Sequence, residues 1–144
     1  MLLVPYAAQI SDGACLPACA QMVLAYYGRQ VSQTQLIRLL GTTDAGTPFS
    51  RLRLLSQLGI IVDVRADGAL AELQAKLPAI VGLHAGWLSD HCVESQHAVV
   101  VIGIDSEGIV ILDPAQGADP IRLSETELLA AWIELDCIFA FVRS

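Results

Sequence analysis

Cys15 opens a long apolar segment, and Gln9 stands six residues before it. His97 begins a β-like apolar run, and Asp113, sixteen residues later, closes the next one. These four residue types are the parts of a thiol acyl-transfer centre: an oxyanion donor, a sulfur nucleophile, a base and a group that orients the base. Each also has a plainer reading when taken singly. Cysteine is often a small buried hydrophobe, a histidine in a core strand is commonly structural, an aspartate before Pro114 suits a turn, and a glutamine suits an exposed loop. Taken together at this spacing, they point to catalysis.

The first element that must position them is a helix. Pro17 donates no backbone hydrogen bond, so it belongs in a first helical turn. That puts the cap near Ala14 and Cys15 at or beside the first helical position, with the helix running to about Tyr27 and stopping at Gly28. A sulfur there faces the positive end of the helix dipole, which favours thiolate, and a neighbouring imidazolium favours it further. The helix is apolar nearly all round and should be buried. Cys19, one turn further on, is expected to be buried and inert, and Cys137 to be a core residue of the last strand.

The first half continues as helix. Ser32-Gln-Thr-Gln35 is a capping-box pattern ahead of a helix that Gly41 ends. Thr47-Pro48 starts a third helix, with Phe49, Leu52, Leu55 and Leu58 on one face and Gly59 at its end. A short strand over 60–65 and a helix over 69–77, ended by Pro78, complete this half. The second half reads as strands at 79–84, 97–104, 108–113 and 137–143. Between them Ser124-Glu-Thr-Glu127 opens a helix through Trp132. Helices followed by antiparallel strands make an α+β domain.

The segment 105–108 predicts a hairpin with Gly108 in a left-handed conformation. A three-residue loop puts His97 and Asp113 on one face but about four residues apart, roughly 13 Å. Twist or a bulge must close that gap, and Gly103 is the candidate site.

Composition limits the alternatives. At 144 residues the chain is expected to be one domain, 1–144, with a substantial core. It is 54% hydrophobic and carries a net charge of −7 with Lys76 its only lysine, so a nucleic-acid-binding surface is not expected. Residues 1–10 lack a basic start and are interrupted by Pro5, which argues against a secretory signal. The longest apolar stretch, 13–28, is too short to span a membrane. Cys15, Cys19, Cys92 and Cys137 are therefore read as free thiols in a reducing cytoplasm. His84, His91, Cys92, Glu94 and His97 raise the question of a metal. The chain lacks CxxC and HExxH spacing, so no metal and no organic cofactor is expected, and His91-Cys92 is read as lining the approach to the site or capping a loop.

The block Gln9-Ile-Ser-Asp-Gly-Ala-Cys15-Leu-Pro-Ala, with His97-Ala-Val-Val-Val and Leu112-Asp113-Pro114, resembles the bacterial cysteine peptidases that process bacteriocin leaders at double-glycine sites. The resemblance covers nearly the whole chain. It implies a papain-like fold with the nucleophile helix packed on an antiparallel sheet, a peptide or protein substrate, and cleavage after glycine or another small residue. It also implies the roles of Cys15 as nucleophile, His97 as base, Asp113 as orienter and Gln9 as oxyanion donor. Leu16 follows Cys15 where that family usually has glycine, a change that leaves the thiol and its base intact. Such peptidases are commonly fused to a membrane transporter, whereas this chain is expected to be a stand-alone relative. Two rival readings use the same residues: another acyl-transfer enzyme (amidase, deamidase or transglutaminase-like), and a peptide-binding module without turnover.

Overall fold

Pro17 fixes where the first helix begins. In the computed structural model, which describes residues 1–84 and 96–143, α1 spans Cys15–Tyr26. Its buried residues include Leu16, Cys19, Met22, Val23 and Leu24, so it runs through the protein interior rather than along its surface. Helix α2, Gln33–Leu40, starts at Ser32, whose hydroxyl accepts the Gln35 backbone N–H at 3.1 Å, and ends at a left-handed Gly41.

The next helix, Phe49–Leu58, is a 3-10 helix rather than an α-helix. Its apolar spacing explains why. Phe49, Leu52 and Leu55 are the buried residues, and a strict interval of three lines up one face only when a turn holds three residues.

Strand β1, Val62–Arg65, and the short helix α3, Leu70–Gln74, follow. The expected helix over 69–77 is cut short because its last turn tightens: the Lys76 N–H bonds to Leu73 O, three residues back, before Pro78. The other strands are β2 (Ala79–His84), β3 (Gln96–Asp105), β4 (Gly108–Leu112), β5 (Ile121–Leu123) and β6 (Phe139–Val142). Helix α4, Glu125–Ile133, lies before β6 and carries a complete capping box between Ser124 and Glu127. Among the described residues the strands form one antiparallel sheet in the order β1-β6-β2-β3-β4-β5.

Alternation along β3 splits the core in two. Ala98, Val100 and Ile102 pack with α1, α2 and the 3-10 helix, while Val99 and Val101 pack with Leu128, Ala131 and Trp132 of α4. The expected α+β arrangement, with the helix that begins at Cys15 packed on an antiparallel sheet, is what forms.

Two expectations need correction. Cys137 lies outside β6, in a turn where it and Asp136 are both left-handed (φ 49° and 57°), and it is half-buried. The backbone carbonyls of this turn accept N–H groups of Asp67 and Gly68, which hold a conformation that non-glycine residues seldom adopt. The β3–β4 hairpin has a two-residue loop, not three: Asp105 pairs directly with Gly108 (φ 133°).

Candidate active site

The hairpin register decides whether His97 and Asp113 can meet. Near the loop, Gly103 pairs with Val110; beyond it, Val101 pairs with Ile111 and Val100 with Leu112, leaving Ile102 as an extra residue. This is the bulge expected beside Gly103. Continuing the ladder puts Asp113 opposite Val99, two residues from His97 and on the same face. Without the bulge Asp113 would oppose Val100, three residues away, and the side chains would point to opposite faces. A single inserted residue therefore creates the pair. His97 Nε2 lies 2.7 Å from Asp113 Oδ1, with both side chains buried.

The surroundings fix Asp113 in place. Its Oδ1 also accepts the Ala115 N–H at 2.9 Å. Its backbone carbonyl accepts the Tyr6 hydroxyl at 2.9 Å, and that hydroxyl accepts the Gly117 N–H at 3.1 Å. The amino-terminal segment thus straps the turn: Leu2 N–H bonds to the bulge carbonyl of Ile102, and Gln9 N–H to Pro114 O.

With Nε2 committed to Asp113, the other ring nitrogen of His97 is left for Cys15, and the two side chains lie close enough for each to shift the other's ionisation. Burial alone would raise the Cys15 thiol. The His97 hydrogen bond and charge, together with the backbone N–H groups of Ala98 and Leu16, outweigh it and hold the thiol below its ordinary value. Burial likewise pulls His97 down, but its bonds to Asp113 and Cys15 and their charges push it up to about 9. Both shifts favour a thiolate–imidazolium pair.

Helix geometry contributes too. Ala14 offers no side-chain cap, so the N–H groups of Cys15 and Leu16 stay clear of intrahelical bonds at the positive end of α1. Gly13, just before them, has a spatial reason to be glycine: a Cβ there would lie 2.1 Å from Thr43 O. The turn Thr43–Gly46, closed by reciprocal backbone hydrogen bonds, therefore packs directly on the turn that leads into Cys15.

Cys15 is half-exposed in a groove. One wall is the 43–48 segment, the other is the turn Glu134-Leu135-Asp136, and Gly82, His84 and His97 lie between. Cys19 is fully buried, and burial pushes its thiol well above the ordinary value. It is unsuited to attack, as expected. The described cysteines, Cys15, Cys19 and Cys137, are free thiols.

Gln9 reaches the same region but is occupied. Its Nε2 donates to Ser11 O at 2.9 Å and to Asp12 O at 3.3 Å, so its amide stands over the turn that leads into Cys15. His91 and Cys92, expected to line the approach to the site or cap a loop, and Glu94, weighed with them as a metal ligand, lie outside the described residues. One contributor was missed by sequence reasoning. Gln33 is buried (6% exposed) and grips the backbone on both sides of Gln9. Its sequence context, Ser32-Gln-Thr-Gln35, signals only a helix start.

The chain is similar to known proteins over nearly its whole length. The profile of the Peptidase C39 family matches residues 4–140. The pediocin PA-1 transport/processing ATP-binding protein PedD of Pediococcus acidilactici is 28% identical over 141 residues, 94% of this chain. The chain spans only 18% of PedD's length. An uncharacterised protein of Methanothermobacter marburgensis is 27% identical over 115 residues, covering 79% of this chain and 74% of that protein.

Among solved structures, a C39-like peptidase from Bacillus anthracis superposes with a TM-score of 0.82 at 17% identity, covering 98% of this chain and 94% of its own. A double-glycine-motif protease from an AMS/PCAT transporter, solved with its leader peptide, gives 0.77 at 22%, covering 97% and 91%. The peptidase domain of Streptococcus ComA gives 0.75 at 24%, covering 94% and 95%. These structural likenesses carry the fold, and the profile carries the family. No helix among the described residues is long and apolar enough to cross a membrane. This chain belongs to the Peptidase C39 family.

Proposed function

We propose that residues 1–144 form one peptidase domain in which Cys15, His97, Asp113 and Gln9 carry the reaction, and that its substrate is a leader peptide cut after glycine or another small residue. The observation that carries the catalytic assignment is the chain of contacts from Cys15 to His97 and from His97 Nε2 to Asp113 Oδ1 at 2.7 Å. The Cys15 thiolate attacks the scissile carbonyl carbon. As the tetrahedral intermediate collapses, the His97 imidazolium gives its proton to the departing amine and an acyl-thioester remains. Neutral His97 then takes a proton from water, which attacks the thioester and restores the ion pair. Asp113 holds the ring through Nε2 throughout.

The oxyanion is bound by the Cys15 backbone N–H at the head of α1 and by Gln9. For this, one amide hydrogen of Gln9 turns from Asp12 O, the longer of its two contacts, towards the oxyanion. The leader-peptide reading is supported by the complex in which the related transporter protease was solved and by the processing function named for PedD. A cytoplasmic location is part of the proposal: the nucleophile works only as a reduced thiol, and the described cysteines are unpaired.

The substrate reading is tested with synthetic peptides differing only at the residue on the acyl side of the cut. Glycine and alanine are expected to lead, with a new peptide amine as product. A profile led by large aromatic or basic residues would contradict the leader reading. Release of ammonia without chain cleavage would instead support an amidase.

A further inference from the structure

We infer that Gln33 is a positioning residue for the reaction, acting through Gln9. This rests on the proposed role of Gln9 as oxyanion donor. The Gln33 side chain is buried at the start of α2, where burying an amide is costly unless its polar atoms are paired. Its Oε1 accepts the Ile10 N–H at 2.9 Å, and its Nε2 donates to Ala8 O at 2.9 Å. The second Nε2 hydrogen goes to Gln21 Oε1 of α1, also at 2.9 Å. The orientation of the amide is fixed by this chemistry. Reversed, it would set a donor against the Ile10 N–H and an acceptor against the Ala8 carbonyl.

The two backbone groups that Gln33 holds flank residue 9, while Gln9's own N–H is tied to Pro114 O beside Asp113. Residue 9 is therefore held through bonds to α1, α2 and the Asp113 turn, the elements that also set Cys15 and Asp113. Oxyanion stabilisation depends on placing a donor to within a fraction of an ångström. Releasing the clamp lets the 8–10 segment shift and carries the Gln9 amide off target. The Cys15–His97 pair has no bond to this clamp and is left intact.

The test measures kcat, KM and the rate of Cys15 alkylation at pH 6 for Gln33→Leu, alone and combined with Gln9→Ala. Gln9→Ala should lower kcat by about 10²–10³-fold, the usual cost of one oxyanion donor. Gln33→Leu alone should lower kcat by at least about tenfold, within that ceiling, with KM and alkylation close to wild type. In the Gln9→Ala background, Gln33→Leu should change kcat by no more than about two-fold, because the group it positions is gone. Should Gln33→Leu fold poorly, Gln33→Glu serves instead: it keeps the acceptor for Ile10 and loses the donor to Ala8, so the same coupling to Gln9 is expected. If the loss is equally large in both backgrounds, or alkylation slows in parallel, Gln33 is merely structural and the inference fails. A Gln9→Ala enzyme with wild-type kcat would instead remove the oxyanion role itself, and this inference with it.

Discussion

Cys15→Ala and His97→Ala are each expected to lower peptide cleavage by roughly 10⁴–10⁶-fold, and the double variant to lower it little further, because nucleophile and base act as one unit. The cause is visible in the pair itself. Without His97, the main offset to the burial of Cys15 is lost and the thiol rises. Without Cys15 there is no sulfur to acylate, since Cys19 is fully buried with its thiol pushed upward. Both variants should fold. Cys15 is only half-buried, and Ala14 and Ala18 show that small residues suit this part of α1. Initial rates on a peptide substrate, with circular dichroism as a fold check, decide it. Losses that multiply in the double variant would mean that the two residues act independently.

Asp113→Ala should be the milder lesion, retaining on the order of 10²-fold more activity than Cys15→Ala. It should also move the pH dependence. The Asp113 hydrogen bond and charge are among the causes that push His97 up to about 9. Above that pH the imidazolium loses the proton that the leaving amine requires, so wild-type kcat should fall on the alkaline side near pH 9. Removing the carboxylate takes away this support while burial still opposes the charged ring, so the alkaline limb should shift to lower pH. A pH–rate profile from pH 5 to 10 measures this. An Asp113→Ala profile with an unmoved alkaline limb would show that Asp113 does not sustain the imidazolium.

Much of this was legible in local chemistry. Pro17 with Gly28 located α1, the apolar run 79–84 gave β2, and Ser124 with Glu127 gave the α4 cap. Each signal lies within a few residues of the structure it dictates. What stayed hidden depended on partners far away in sequence or on elements too short to show a pattern. Cys137 sits in an apolar stretch and reads as strand, but contacts with Asp67 and Gly68 hold it in a turn. Strand β5 has three residues, too few for any alternation to stand out. The interval of three in Phe49, Leu52 and Leu55 announces a helix in the sequence, and the structure makes it the tighter 3-10 kind.

The site divides in the same way. Cys15, His97 and Asp113 could be picked out by type and spacing, and the bulge near Gly103 could be placed from the need to bring two residues together. That the inserted residue also changes which face Asp113 points to required the actual two-residue loop. Gln33 gave no sign at all, because its partners are the backbone of residues 8 and 10 and a side chain on another helix.

The central claim is that Cys15 and His97 form an activated thiolate–imidazolium pair, and the thiol reports on it directly. Iodoacetamide labelling as a function of pH, read by mass spectrometry at each cysteine, measures how much of each is thiolate. Cys15 should be labelled first at pH 6, with its reactivity rising at a pH below that of an ordinary thiol and level through neutral pH. Cys19 and Cys137, both raised by burial, should react slowly there. In His97→Ala the Cys15 curve should move towards alkaline pH. Cys15 titrating like an ordinary thiol, with no change on removing His97, would contradict the ion pair and with it the assigned mechanism.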